Sequence, residues 1–212
     1  ELYLYPLYVR ELTPLGTKGR VPVRRAECYD AAREALKERG WIQRSMRRFS
    51  APGDDAMGTT HRCQIDGMVG VGVGARSYTD RLHYSHDYAV GQKAIRGIIG
   101  EYCASDDDDF SVAHHGVWLD EEERRRRLVI LSLLDGELDD RMYEERFCRA
   151  LTADFPELEA LPQLGLANWV SAPGAESRQL RLTESGVAAS DTIGHWLFSD
   201  RTRRGMAGYS VK

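Results

Sequence analysis

One stretch holds much of the residue chemistry in this chain. Cys63 to Ser85, CQIDGMVGVGVGARSYTDRLHYS, threads Gly67, Gly70, Gly72 and Gly74 through an apolar run and ends on Arg76, Ser77 and Tyr78. Glycine weakens a strand, because it packs no side chain and loses the most backbone freedom on folding. So much of it implies close approach of a ligand or of another backbone, a phosphate-binding loop, or a tightly packed core strand. Gly70-x-Gly72-x-x-Ala75 satisfies the permissive dinucleotide spelling. That motif needs a helix to begin there and an acid about 20 residues on, and neither is present. No Gly-Lys-Ser/Thr follows, so it is not a P-loop either.

Metal and charge chemistry come next. His61 near Cys63, His83-x-x-His86 and the pair His114-His115 are ligand types, but no third ligand sits at a familiar spacing. Cys28, Cys63, Cys103 and Cys148 are scattered and form no CxxC pair, which excludes a disulfide framework and a self-contained zinc or iron–sulfur site and fits a reducing cytoplasm. Asp106 to Asp109 lack the glycine and glutamate of a calcium loop and read as a solvated linker. Arg124 to Arg127 follow three glutamates on one helix, where intrahelical pairing accounts for them. Arg47-Arg48 differ: neighbouring strand residues face opposite sides, so one arginine points inward and needs a carboxylate or phosphate. An acid of the same domain would serve as well as a ligand.

The chain has 212 residues, enough for one large domain or two small ones, and its 42% hydrophobic and 29% charged residues are ordinary. A net charge of −4 argues against generic binding to nucleic-acid backbones. No window is long enough for a membrane span, and no signal peptide opens the sequence. It starts at Glu1 directly on the strand-like ELYLYPLYV, as a piece of a longer protein would.

These residues must be carried by recognisable elements. After the first strand, AECYDAAREALKERGW is an amphipathic helix in which Ala31, Ala32, Ala35 and Leu36 recur, stopped by Gly40. Trp41 to Phe49 reads as a second strand, and the glycine run as a third. A helix follows over DYAVGQKAIRGIIGEYCA. The predicted fold class is therefore α/β. Beyond a boundary near 106–116 the pattern changes. A helix capped by Asp120, another over DDRMYEERFCRALTADF, a short one ending at Gly165, a hairpin around SAPGAES and a last helix capped by Thr183 suggest a winged-helix-like tail. SGVAASDTIGHWLFS offers no Arg, Lys, Asn or Gln for reading bases, so DNA is not an expected partner.

GWIQRSMRRFSAPG followed by CQIDGMVGVGVGARSY resembles the late barrel segment of HemN-like radical SAM proteins, the group containing oxygen-independent coproporphyrinogen III oxidase. Gly40-Trp41, Phe49, Pro52-Gly53 and Gly70-x-Gly72-x-Gly74-Ala75-x-Ser77 carry the match. In the tail, Glu123-x-x-Arg126, Gly165-Leu166 and Leu182-Thr183-x-x-Gly186 carry it. Arg44 to Arg48 depart from the family's pattern, and Arg76 stands where the family has histidine, which marks a divergent subfamily. The CxxxCxxC cluster motif is absent from the chain.

The resemblance implies the last strands and helices of a partial (β/α)6 barrel over 1–110 and a winged-helix-like α+β domain over 111–212. It implies a radical SAM oxidoreductase or methyltransferase-like enzyme as the full-length protein, with this chain inactive alone. Its cofactors would be S-adenosylmethionine and a [4Fe-4S] cluster whose ligands lie in a missing N-terminal half of the barrel. Expected partners are a small-molecule substrate and a reductant such as flavodoxin or ferredoxin. In that picture Gly70, Gly72, Gly74, Ala75, Arg76 and Ser77 bind cofactor on the closing barrel strand. Arg10, Arg47, Arg48, His61, Gln64 and Tyr78 bind substrate, the arginines through its carboxylates. No catalytic residue and no metal ligand is assigned. The rival reading is a non-catalytic heme-handling relative using His61, His83, His86 or Cys63.

Overall fold

The computed structural model describes residues 1–9, 13–19, 24–53, 64–171 and 177–208, so Arg10, His61 and Cys63 lie outside the described residues. Two compact units interleave along the chain. One comprises Glu1–Tyr5, Tyr29–Met57 and Arg125–Ser199; the other comprises Pro6–Cys28, Gly58–Arg124 and Asp200–Lys212.

The elements in chain order are β1 (Leu2–Tyr3), α1 (Arg25–Lys37), β2 (Ile42–Gln43), β3 (Arg48–Ser50), β4 (Arg76–Tyr78) and β5 (Leu82–Ser85). Next come α2 (Gln92–Ala104), β6 (His115–Trp118), α3 (Glu121–Leu134), β7 (Glu137–Asp139) and α4 (Asp140–Phe147). The chain continues through α5 (Leu151–Asp154), α6 (Ala160–Gln163), β8 (Ala167–Val170), β9 (Gln179–Leu182), α7 (Glu184–Ala188), α8 (Ser190–Trp196) and α9 (Asp200–Ala207). The strands make three three-stranded sheets, β1-β3-β2, β4-β5-β6 and β7-β9-β8, and every pairing among them is antiparallel. Mixed α/β is therefore correct as a class, while the parallel neighbours of a barrel wall are not seen among the described strands. No helix of the described residues is long and apolar enough to cross a membrane.

In the first unit α1 turns Tyr29, Ala32, Arg33 and Leu36 inward, spaced by three, one and three residues, and leaves Ala31 exposed. The Tyr29 hydroxyl donates to Met46 O at 2.5 Å and accepts from Gln43 Nε2 at 3.0 Å. Trp41 to Phe49, expected as one strand, is a hairpin instead. Arg44 N and Ser45 N both donate to Arg48 O, and β2 pairs back on β3 with Gln43 opposite Phe49. The turn sits where the sequence shows only loose alternation.

The larger core of this unit gathers Leu128, Val129 and Leu133 of α3 with Leu138, Tyr143, Leu151, Phe155, Leu158, Leu161, Ala167, Leu180, Ile193 and Leu197. Asp139 starts α4 by accepting from Arg141 N at 2.9 Å and Met142 N at 3.2 Å, and so feeds Tyr143 into that core. The tail motif has a physical reason. Thr183 Oγ1 accepts from Gly186 N at 3.1 Å and donates to Gly165 O at 2.8 Å, while Thr183 N donates to Leu166 O at 2.9 Å. A Cβ on Gly186 would overlap the Leu166 carbonyl. Gly165-Leu166 and Leu182-Thr183-x-x-Gly186 are thus one knot joining α6, β9 and α7.

The arginine run is more tertiary than expected. Arg124 pairs within α3 with Glu121 at 2.7 Å, but Arg125 lies 3.5 Å from Asp154 and Arg126 donates to Leu197 O at 2.9 Å. Arg126 also sits over the Phe155 ring, 5.4 Å from its centroid.

Candidate functional site

The second unit contains a cavity of about 520 Å³, walled by β4, β5, α2 and the 110–115 segment. That volume lies within the range of small-molecule sites. Its construction starts with strand register. Ser77 of β4 stands opposite Tyr84 of β5, which stands opposite Gly116 of β6. Alternation puts Ser77 and Tyr84 on the cavity face and Arg76 and Tyr78 on the other. Ser77 is buried, Arg76 is exposed, and Tyr78 meets His83 edge-on at 4.7 Å between ring centroids.

The opposing wall is helical. α2 offers Ile98, Glu101 and Tyr102 to the cavity, and Ser105, which caps its C-terminus, continues the same face at a spacing of three, one and three residues. The acidic run closes this end. Asp106 Oδ1 accepts from Asp108 N at 3.0 Å and Asp109 N at 3.1 Å, making a capped turn rather than the open linker expected. The turn brings Phe110 to the Tyr102 ring at 5.2 Å and to His86 at 5.7 Å, while His86 and Tyr102 meet at 5.0 Å. Asp87 accepts from Tyr88 N at 2.9 Å and lies 3.9 Å from His115 Nε2.

The glycines have their explanation in the chain itself. Gly67, Gly72 and Gly74 take φ of 86°, 104° and 71°, and only Met68 pairs, with Tyr78. The closing strand expected over Gly70 to Ala75 is therefore a folded-back loop. A Cβ on Gly70 would come within 2.5 Å of Arg76 O and 2.8 Å of Arg76 N, and Gly70 N donates to Ser77 Oγ at 3.0 Å. The backbone that approaches is this chain's own.

Of the residues expected at a cofactor, Gly70, Ala75 and Ser77 line the cavity, while Gly72, Gly74 and Arg76 are not among its lining residues. Of those expected at a substrate, Gln64 and Tyr78 do not line it. Arg47 and Arg48 belong to the other unit, where acids of this chain hold them. Arg47 Nε donates to Asp191 Oδ2 at 3.0 Å and its guanidinium lies 5.2 Å from the Tyr5 ring centroid, while Arg48 Nε donates to Glu1 Oε1 at 2.9 Å. Hydrogen bonding from Tyr3, together with Arg48, holds the Glu1 carboxyl below the usual carboxylate range. Glu101, Tyr102, Phe110 and Asp87 were not singled out from the sequence; the helical spacing of 98, 101, 102 and 105 was the available signal.

Among the described residues no group of three or more His, Cys, Asp or Glu could hold a metal ion, and Cys28, Cys103 and Cys148 are free and exposed. The described residues therefore do not fit an iron–sulfur cluster. The cavity combines π faces, hydroxyls and two carboxylates, which suits binding and orienting an organic molecule.

No family model and no curated protein matches the chain. Among solved structures, coproporphyrinogen III oxidase HemN from Escherichia coli, a radical SAM enzyme, is similar in fold, with a TM-score of 0.57 and 18% identity. The match covers 84% of this chain and 42% of that one, so the chain spans less than half of its neighbour's length.

Proposed function

We propose that this chain is the C-terminal portion of a radical S-adenosylmethionine enzyme of the HemN-like group, and that its cavity takes the small-molecule substrate. The fold likeness to HemN carries the reading, together with the family-like residues Gly165-Leu166 and Leu182-Thr183-x-x-Gly186 meeting in one knot. The segment 1–110 then belongs to the barrel portion and 111–212 to the tail. The strand order β7-β9-β8, with α3 before it and α4 to α6 between its strands, supports a winged-helix-like tail. Bound at a cluster held by chain outside this sequence, S-adenosylmethionine would supply the radical chemistry of hydrogen abstraction. The cluster ligands would come from chain outside this sequence. The part of the residues described here is to bind and orient the substrate and to shield it from water, with Ser77, Tyr84 and Tyr102 on its walls.

The test uses the full-length protein, reconstituted anaerobically with iron and sulfide. Cluster absorbance and release of 5′-deoxyadenosine are expected, and the absence of both would refute the proposal. One observation favours a heme-handling reading instead, since His86, His114 and His115 all line the cavity. A heme titration with no Soret shift would remove it.

A further inference from the structure

We infer that the cavity of the second unit selects a ligand carrying a positive charge on an apolar body, an amine or ammonium compound, over a carboxylate. This rests on reading the cavity as the substrate pocket. Among the described residues its charged lining consists of the carboxylates Asp87 and Glu101 and three histidines, with no lysine or arginine. Strand alternation turns Arg76 to the opposite face from Ser77. Lys93 and Arg96 of α2 lie off the stripe formed by Ile98, Glu101, Tyr102 and Ser105. Of the histidines, His86 meets the Tyr102 and Phe110 rings edge-on, and His115 lies 3.9 Å from Asp87.

Aromatic rings beside a carboxylate are the combination that recognises an organic cation. Ring faces attract positive charge through their quadrupole, and a carboxylate adds a direct charge partner. A carboxylate ligand would meet two like charges, with no guanidinium among the described lining residues to bind it. A substrate recognised mainly through several carboxylates therefore does not suit this cavity, and the arginines expected from the sequence to hold one lie elsewhere or outside the described residues.

The experiment is a calorimetric titration of the full chain with benzyltrimethylammonium and, separately, phenylacetate, in mildly alkaline buffer. The cation is expected to bind roughly tenfold or more tighter than the acid. Glu101→Gln, on an exposed stretch of helix where the fold tolerates it, is expected to weaken the cation roughly fivefold, and Tyr102→Leu to weaken it further. Equal or tighter binding of phenylacetate, no binding of either probe, or an unchanged affinity in Glu101→Gln would each overturn the inference. Failure of S-adenosylmethionine cleavage in the full-length protein would sink the proposed function while leaving this binding preference to be judged by its own titration.

Discussion

Single atoms decide several features at the scale of residues. Gly186 sits where any side chain would overlap the Leu166 carbonyl, and its own amide is held by Thr183. Neither backbone can yield without opening the joint between β9 and α7. Gly186→Ala should therefore destabilise the protein by about 2 kcal/mol or more, the range of overpacked sites. Urea unfolding would show it as a lower midpoint at similar slope, and an unchanged midpoint would contradict the close approach. Arg47 is a different kind of residue: its adjacency to Arg48 in the sequence left a ligand or an acid of the same domain as its partner, and Asp191, distant in sequence, is an acid that holds it. No local pattern could have announced that pair, because the two residues meet only when the hairpin and α8 are both in place.

Among elements, the helix starts were the most legible part of the sequence. Asp120 caps α3 through Glu123 N at 2.9 Å, and Thr183 caps α7, both as local sequence requires. Asp139 is not legible as a cap, since it is also the last residue of β7, Glu137–Asp139, a strand too short to carry an alternation signal. Its two hydrogen bonds to Arg141 and Met142 nevertheless orient the helix that buries Tyr143. Asp139→Ala should cost about 1 kcal/mol. Chemical denaturation is the measurement, and Asp139→Asn or Asp139→Ser should recover most of the loss. α9 was missed as well. Its Arg201 donates to Asp120 Oδ2 at 2.8 Å and to Trp118 O at 3.3 Å, so this basic helix has partners within its own unit.

At the scale of the whole molecule, carboxylates held by tertiary partners set the response to acid. The Asp154 carboxyl is kept low chiefly by its hydrogen bonds with Arg149, assisted by the Tyr143 hydroxyl at 2.7 Å. Asp120 is kept low chiefly by the Glu123 backbone amide. Burial pushes the Tyr143 hydroxyl up, so it stays a donor to Asp154 at any ordinary pH. Native carboxyls with depressed values bind fewer protons than unfolded ones near pH ~4, so their stabilisation is full above that region and is lost as pH falls through the folded values. Thermal melts should be flat in these contributions near neutrality and drop on acidification below about pH 5. Asp154→Asn should make that drop shallower, and a melt independent of acid would contradict the assignment.

The sequence by itself determined what depends on neighbours along the chain: the helices α1, α2 and α3, the start of α3 at Asp120, the stop at Gly40, and the hairpin of β8 and β9. It also held Gly165-Leu166 and Leu182-Thr183-x-x-Gly186, the residues that meet in one knot. Tertiary structure alone decided where side chains from distant segments meet. It paired Arg47 with Asp191 and set Ser77 across from Tyr84. It also folded the acidic run into a turn that brings Phe110 to Tyr102, and it made the Gly70 to Ala75 segment a loop on its own backbone. The physical reason is that a glycine or an arginine states only what it permits, close approach or a carboxylate partner. Which backbone or which acid answers is fixed by contacts between residues far apart in the chain.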